Sequence, residues 1–462
     1  MKPHLSLLTL CLLLGACGST AQRPDSGIQP PSSWQSPHTQ NATHRNLQWW
    51  TQFGSPELDR LIEQARVGSY DLAAAIARVR QAQADTVIAG GSLLPEVKAG
   101  LNANRQKLLR GSGYSQLDAD SSNKAVDYFD ANLSATYEID FWGGQRASRD
   151  SAQFGLQASE FDRATVELTL LSGVANSYAQ ALSLREQSRI AGLNLANAQN
   201  VLNLVQTRFD SGSATALELA QQKSLVAAQQ RQLPLVQQQA QDALISLAAL
   251  LGRPVQQLRL GAERFEQLSW PTIAAGVPSE LLTRRPDIAR AEAQLAAAQA
   301  DVTVARAAML PAVTLSAELG SGADRAADIL RNPFYNLTAG LLAPVFNNGR
   351  LSAERDKATA RQEELLETYR GAIINGFADV EKALNSIRGL DEQRQWQGEE
   401  LNQAQTAFNI AQSRYEAGAE DLLTVLETQR TLYAAQDLNV QLRLSRLQAS
   451  IALYKALGGG WQ

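Results

Sequence analysis

The chain has very few of the side chains on which most catalytic and metal sites depend. Its 462 residues include three histidines and two cysteines, and all five lie before residue 45: His4, His38, His44, Cys11 and Cys17. Nucleophile–base pairs and nearly all zinc or haem sites need one of these two residue types. The chain also lacks a P-loop, a GxSxG motif and a Rossmann glycine pattern. We therefore expect no enzymatic activity, no metal and no cofactor.

Excess positive charge and aromatic side chains are scarce as well. There are 42 Lys and Arg against 46 Asp and Glu, a formal net charge of −4, and aromatic residues make up 6 %. Nucleic-acid binding needs a concentrated positive surface, so we expect no nucleic-acid partner. The dominance of Ala, Leu and Gln favours long helices.

The N-terminus is typical of a secreted lipoprotein. Lys2 precedes an apolar run over residues 5–14 that is too short to span a bilayer, so residues 1–16 are predicted to be a signal peptide. The run ends Leu14-Gly15-Ala16-Cys17, which resembles a bacterial lipobox. That resemblance implies cleavage after residue 16, covalent lipid (diacylglycerol and an acyl chain such as palmitate) on Cys17, and an outer-membrane destination. An ordinary signal peptide with an incidental cysteine is the alternative. Residues 17–46, rich in Pro, Ser, Gln and Thr, are predicted to be the lipidated tether.

The rest of the chain contains one internal duplication. Leu94-Pro95 matches Leu310-Pro311 at an offset of 310 − 94 = 216, and Leu251-Gly252 matches Leu457-Gly458 at an offset of 457 − 251 = 206. Matches at turn prolines and glycines in the same order are difficult to obtain by chance. We assign the first structural repeat to residues 47–255, a linker to 256–275 and the second repeat to 276–462.

Each repeat is predicted to contain a helix, a β-hairpin, one very long helix and a further helix. The long helices follow Gly144 and Gly349 and run to about Phe209 and Tyr415. Helices of this length persist only in coiled coils or bundles. Pro234 is expected to interrupt the helix that follows the first long one.

Four segments alternate between apolar and polar residues and are predicted to be strands, at about 96–104, 128–140, 311–320 and 336–346. Period-two alternation over about ten residues is typical of transmembrane barrel strands. A soluble antiparallel sheet with one wet face is the alternative. The aromatic residues near the strand ends are expected to form interfacial girdles: Phe141, Trp142, Phe334, Tyr335 and Phe346.

Four strands cannot close a barrel. An open sheet edge in hydrocarbon leaves backbone groups unpaired at several kcal/mol each, and the smallest barrels have about eight strands. Copies of the chain must therefore pool their strands, and two, three or four copies would supply eight, twelve or sixteen. Physical reasoning predicts an oligomer and leaves the number open.

Several motifs resemble those of TolC-like outer membrane factors, and most of all their lipoprotein branch (OprM/NodT type), which serves RND tripartite efflux systems. The most specific is GVPSELLTRRPDI at residues 276–288, and YEIDFWG at 137–143, PVFNNGR at 344–350 and Trp49-Trp50 also fit. The resemblance implies a mixed, mainly-α fold with transmembrane β-strands. It implies a homotrimer in which a 12-stranded β-barrel in the outer membrane continues as a 12-helix α-barrel in the periplasm.

By the same resemblance the chain is a lipid-anchored exit duct that conducts small molecules passively. Its partners would be outer-membrane lipid, a periplasmic membrane-fusion adaptor and an inner-membrane pump of the RND or ABC type. A polypeptide-secretion duct and a lipid-anchored coiled-coil spacer without a pore are the alternatives. Antibiotics, siderophores, solvents and metals are all compatible cargoes.

The resemblance also assigns roles to residues. It implies that the turns containing Arg208, Gly212, Arg414, Tyr415 and Gly418 form tips that dock the adaptor; plain C-cap glycines are the alternative. It implies a periplasmic gate at Leu423 and Glu427, where relatives usually have Asp at the second position, and a solvated helix face is the alternative. In a trimer, three Glu427 carboxylates would converge on the axis.

Overall fold

The computed structural model describes residues 25–36, 48–107, 126–271 and 273–460. The predicted signal peptide, Cys17 and most of the predicted tether lie outside them. The chain divides into two compact units. The first comprises Arg80–Ala158 and Ala291–Tyr369 with the chain up to Gly27, and the second comprises Ile28–Val79, Ser159–Arg290 and Arg370–Gln462.

The first unit contains an antiparallel sheet of four strands in the order β1-β2-β3-β4. The strands are β1 (Glu96–Gln106), β2 (Val126–Ile139), β3 (Ala312–Ala323) and β4 (Pro333–Leu342). Every pairing joins odd to odd or even to even residue numbers, as in the odd-numbered row Ala99, Leu133, Leu319 and Tyr335. Since side chains alternate between faces, all odd positions share one side of the sheet.

The odd positions form the apolar face of the sheet, and the even positions form its polar face. Leu, Ala, Val, Ile, Phe and Tyr occupy most odd positions, while Arg105 and Asp127 pair with each other at 3.6 Å near one end. On the polar face, amides and carboxylates bond across the strands. Asn102 Nδ2 donates to Asp130 at 2.8 Å, and Asn132 Nδ2 donates to Glu318 at 3.2 Å.

The strand bounds differ most from the prediction at β4, which runs over Pro333–Leu342 instead of 336–346. The alternation continues through Ala343 and Val345, but β3 begins at Ala312, opposite Leu342, so later residues have no partner there. Pro344 also has no N–H to donate. The other strands extend or shift by one to three residues relative to the predicted 96–104, 128–140 and 311–320.

One predicted girdle residue lies on the wrong face for that role. Phe334 occupies an even position of β4, opposite Gly320, and therefore belongs to the polar face with Glu318. Its neighbour Tyr335 is on the apolar face, opposite Leu319. Phe141, Trp142 and Phe346 lie outside the strands, and the Trp142 indole donates to the carbonyl of Pro311 at 2.7 Å.

The helices follow the same order in both halves of the chain. The first half has α1 (Pro56–Gly68), α2 (Tyr70–Gly91), α3 (Gly144–Asp210) and α4 (Ala216–Leu250). The second half has α5 (Pro278–Arg284), α6 (Pro286–Ala307), α7 (Arg350–Glu416) and α8 (Leu422–Ala456). Both long helices, α3 and α7, have 67 residues, and both α4 and α8 have 35. Within the part of the chain that the structure describes, no helix has the length and apolar character needed to cross a membrane.

The expected break at Pro234 does not occur, because α4 continues through it. A proline inside a helix costs about 3 kcal/mol through a lost hydrogen bond and a steric clash. Val226 lies buried before the proline, and Val236 and Leu247 lie buried after it. Packing on both sides therefore holds the helix in one piece.

Both halves end in the same close backbone contact. Gly252 follows α4 with φ +67°, and Gly458 follows α8 with φ +91°. A Cβ atom at Gly252 would collide with the carbonyl of Gly68, the last residue of α1. A Cβ atom at Gly458 would collide with the carbonyl of Arg284, the last residue of α5. Glycine is required at both positions, for the left-handed backbone and for the space.

The stretch 276–288 forms a corner of the second unit in which Arg285 is buried. Arg285 pairs with Asp287 at 2.7 Å and Asp379 at 3.0 Å, and donates to the carbonyl of Ala456 at 3.2 Å. Burial alone would raise the pKa of the Asp287 carboxyl, but the hydrogen bonds and charge of Arg285 outweigh burial and hold that pKa below its usual value. This ion-pair cluster joins the start of α6 to α7 and the end of α8.

The N-terminal segment is attached at the same corner. The Trp34 indole is buried, donates to the carbonyl of Gly276 at 2.9 Å and meets the Phe377 ring edge-on at 6.2 Å between centroids. The backbone N–H of Gln35 donates to Glu381 at 2.6 Å. Trp34 therefore fixes the segment that precedes the first helix of the body.

Candidate gate and docking tips

The two long helices reverse direction in matching turns. Gly212, after α3, has φ +75°, and Gly418, after α7, has φ +76°. The next residue in each turn donates to the carbonyl of an arginine at 2.8 Å: Ser213 to Arg208, and Ala419 to Arg414. Nothing lies within 4 Å of a Cβ atom built on Gly212, so the backbone conformation requires glycine there, and space does not. We call the two turns, 208–215 and 414–421, the first and second tips.

Each helix that leaves a tip has a side-chain N-cap. Thr215 accepts from the N–H of Glu218 at 3.2 Å, and the Glu218 carboxylate accepts from the N–H of Thr215 at 2.6 Å, which is a capping box. Asp421 accepts from the N–H of Thr424 at 2.8 Å, and these bonds hold the pKa of Asp421 below its usual value. The start of both helices is therefore fixed locally.

The two tips contact each other through Arg208. Its Nη2 donates to the carbonyl of Tyr415 at 2.5 Å, and its guanidinium lies over the Tyr415 ring, 4.3 Å from the centroid. Arg414, at the matching position of the second tip, instead pairs with Glu420 at 3.2 Å inside its own turn. Only 2 % of the Tyr415 surface is exposed. The first tip therefore binds the second through an arginine that has no equivalent contact in the other direction.

A shared core lies behind the tips. Buried apolar residues from four helices meet there: Val201 and Val205 of α3, Leu219 of α4, Phe408 and Tyr415 of α7, and Leu422, Val425 and Leu426 of α8. This packing turns one side of α8 inward and leaves its opposite side exposed.

Buried amide side chains tie these helices together along their length. Gln222 of α4 donates to the carbonyl of Ala198 at 2.8 Å, and Gln397 of α7 donates to the carbonyl of Ala435 at 2.9 Å. Sequence reasoning missed these residues, although glutamine at a core position of a heptad is the available signal. Since a buried amide is costly without a partner, each bond favours one axial position of the helices.

The two predicted gate residues lie together on the exposed side of α8. Leu423 and Glu427 are one turn apart, and Leu423 is 59 % exposed. Leu217, the matching residue of α4, is 67 % exposed. Gln221 takes the position that corresponds to Glu427. The exposed apolar residue is therefore present in both halves, whereas the carboxylate is present in one.

Glu427 differs from the other acidic residues near the tips. Glu218 and Asp421 serve as caps, and Glu420 pairs with Arg414. The Glu427 carboxylate has no hydrogen-bond or ion-pair partner among the residues described here. Its charge is available for groups outside the protomer. The residues in the described ranges also contain no group of three or more His, Cys, Asp or Glu that is able to hold a metal ion.

Comparison with known proteins identifies clear relatives. The family model for "Outer membrane efflux protein" matches residues 61–253 and 277–459, and the interval between these segments overlaps the predicted linker, 256–275. The chain is 66 % identical over 460 residues to the pyoverdine export outer membrane protein OpmQ of Pseudomonas aeruginosa, covering 99 % of this chain and 97 % of that protein. It is 63 % identical over 460 residues to OpmQ of Pseudomonas putida, covering 99 % and 98 %. Among solved structures, the outer-membrane channel OprN is 26 % identical with a TM-score of 0.87, covering 96 % of this chain and 100 % of that one.

Replacing Arg208 tests the contact between the tips. We expect Arg208→Met to destabilise the tips by about 1–3 kcal/mol, because a charged hydrogen bond and a cation–π contact are lost. Amide hydrogen exchange at residues 411–419 should accelerate accordingly. Tyr415→Phe is the matched control, because the Tyr415 hydroxyl is buried without a hydrogen-bond partner in the described ranges and its removal leaves the ring and the carbonyl in place. Equal exchange in Arg208→Met and wild type contradicts the assignment.

Proposed function

This chain belongs to the outer membrane efflux protein family, and on that premise we propose that three copies of it assemble into one continuous duct. The protein is not an enzyme. It is an outer-membrane exit channel that extends into the periplasm and works with the pump of a tripartite efflux system. The proposed trimer has a 12-stranded barrel in the outer membrane and a 12-helix tunnel in the periplasm, joined through an adaptor to an inner-membrane pump.

The sheet carries this proposal. Among the described strands, β1 pairs only with β2 and β4 pairs only with β3, so each has one free edge. The apolar face suits lipid, and the polar face with its Asn132–Glu318 bond suits water. Free edges in hydrocarbon must be paired, and joining β4 of one copy to β1 of the next satisfies both edges at once. The number three is inferred from the family.

Cysteine pairs across the proposed seam test the trimer. We expect Ala99→Cys or Leu101→Cys, combined with Leu337→Cys or Ala339→Cys, to give disulfide-linked dimers and trimers on denaturing gels after oxidation. Leu133→Cys with Leu319→Cys is the control, since these residues face each other within one chain and should leave it monomeric. Products larger than a trimer, or the absence of any intermolecular product, would overturn the assembly.

We also propose that Leu423 and Glu427 line the periplasmic gate. The exposed position of both residues and the unpartnered carboxylate of Glu427 support this role. Three converging carboxylates attract cations and hold a narrow, hydrated constriction. Glu427→Ala should raise the single-channel conductance in planar bilayers and increase antibiotic leakage into cells. Gln221→Ala, at the matching position of α4, should change neither. Unchanged current and susceptibility in Glu427→Ala would count against the gate.

The two tips are proposed to meet the adaptor. Their turns are exposed, and the arginine, glycine and aromatic positions named from the resemblance are Arg208, Gly212, Arg414, Tyr415 and Gly418. Arg208 and Tyr415 hold the two turns side by side, which presents both to one partner. Capture of the adaptor by a cross-linker on Ser213→Cys, and not on a cysteine in mid-helix, checks this assignment.

Lipid on Cys17 is proposed to anchor the N-terminus in the outer membrane. The lipobox-like sequence at residues 14–17 supports it, and more than one acyl chain is needed for firm anchoring. Incorporation of labelled palmitate into the wild type but not into Cys17→Ser is the expected result.

Pyoverdine is the proposed cargo, because two relatives that cover nearly the whole chain are pyoverdine export proteins. Expression of this chain in a strain that lacks its own pyoverdine export channel should restore pyoverdine in the medium and clear it from the periplasm. A normal amount of assembled protein without restored export would contradict this cargo.

The two alternative functions are less well supported. A spacer without a pore has no use for the sheet, and the small-molecule cargo of these relatives argues against a polypeptide duct.

A further inference from the structure

Two aromatic side chains lie on the polar face of the sheet. Tyr128 of β2 and Phe334 of β4 hold even positions, and no other aromatic residue holds an even position in the four described strands. The rest of this face is mostly charged, amide, hydroxyl or glycine residues. Both aromatics lie near the strand ends that are remote from the helices α3 and α7.

Both rings lie directly on glycines of β3. Phe334 faces Gly320 in the register, and a Cβ atom at Gly320 would lie 2.6 Å from the Phe334 Cζ. A Cβ atom at Gly322 would lie 2.7 Å from the Tyr128 Cζ and would also collide with its hydroxyl. Neither glycine has a positive φ, so an ordinary residue would fit the backbone. These positions need glycine for space, since any side chain would lift the ring off the strand.

The two rings form one apolar patch with an open outer side. Gly320 and Gly322 are successive residues of one face, about 7 Å apart. Tyr128 is 45 % exposed and Phe334 is 43 % exposed, so each ring has one side against backbone and the other side free. Glu318 lies on the same face of β3, two residues before Gly320, and one of its carboxylate oxygens accepts from Asn132. Hydrogen-bonding groups therefore border the patch.

We propose that Tyr128 and Phe334 form a stacking site for a planar aromatic group of the exported molecule near the outer mouth of the channel. The inference rests on the proposed function, in which the polar face lines the pore and the helices extend into the periplasm, so that the strand ends remote from the helices face outward. Lipid is an unsuitable occupant, because the Asn132–Glu318 and Asn102–Asp130 bonds occupy the same face. A half-exposed ring binds another ring through offset stacking, and Glu318 is able to accept from a hydroxyl on the guest.

An alternative explanation assigns the rings a structural role only. Aromatic side chains laid over glycine stabilise sheets, and that effect needs no guest. The two explanations differ in what happens to the current when an aromatic solute is present. Tyr335, an aromatic neighbour of Phe334, lies on the apolar face and therefore serves as a control for both explanations.

Single-channel recording of the purified, assembled protein separates these explanations. Neutral 2,3-dihydroxynaphthalene is added on the side of the membrane that faces the strand ends near Tyr128 and Phe334. The duration of each current block is then measured. We expect blocks in the wild type and about tenfold shorter blocks in Tyr128→Leu/Phe334→Leu, with intermediate values in the single variants. Tyr335→Leu, the matched control on the opposite face, should behave as wild type, and Tyr128→Phe should retain the blocks.

Blocks of wild-type length in the double variant, or no blocks in a conducting wild type, would overturn the stacking site and leave the channel proposal intact. A wild type that assembles but does not conduct would overturn the channel proposal instead. Heat-modifiable oligomers on gels establish assembly of every variant, and the single variants decide the matter if the double variant does not assemble.

Discussion

The pairing of odd residues with odd residues across all four strands is the constraint on which the rest of the sheet depends. A slip of one residue in any strand would turn carboxylates such as Asp130 and Glu318 toward the apolar side and Leu133 or Leu319 toward the polar side. The cross-strand amide–carboxylate bonds exist only in the observed register. The placement of Tyr128 and Phe334 over glycines depends on the same register, because both rings need even positions of β3 without side chains.

In the helical part, buried polar groups fix the axial alignment of neighbouring helices, as the register fixes the alignment of the strands in the sheet. Apolar packing alone would permit neighbouring helices to slide by a turn at little cost. Gln222 and Gln397 oppose sliding, because each amide reaches one particular carbonyl on the neighbouring helix. Tyr433 adds a third such bond, to the carbonyl of Asn194 at 2.8 Å, and burial raises the pKa of Tyr433 to about 12, so its hydroxyl stays a donor at neutral pH. Hydrogen bonds inside the core therefore fix the axial positions of the helices that carry the tips.

Local sequence patterns predicted the features that depend on near neighbours. Alternation predicted the existence of all four strands, whereas the two tip turns were expected from the resemblance to a known family. The predicted end of β4 was wrong, because β4 ends where β3 no longer offers a partner. β3 begins at Ala312, 30 residues before Leu342. The even number of Phe334 indicates the polar face, whereas its proximity to a strand end does not distinguish the two faces. The break at Pro234 was wrong because packing outweighed a local preference. The Arg208–Tyr415 contact joins residues 207 positions apart, and no periodic pattern carries that information.

Trp34 sets a length limit on the proposed lipid anchor. Cys17 precedes Trp34 by 34 − 17 = 17 residues, which at full extension reach at most about 60 Å. Since the indole is buried against Gly276 and Phe377, slack cannot be drawn from further along the chain. A connection of this length holds Cys17 and Trp34 at an effective concentration on the order of millimolar relative to each other. Insertion of the sheet of an acylated chain into the bilayer would therefore be an intramolecular step. The inserted sheet would then encounter neighbouring copies by diffusion in the plane of the membrane.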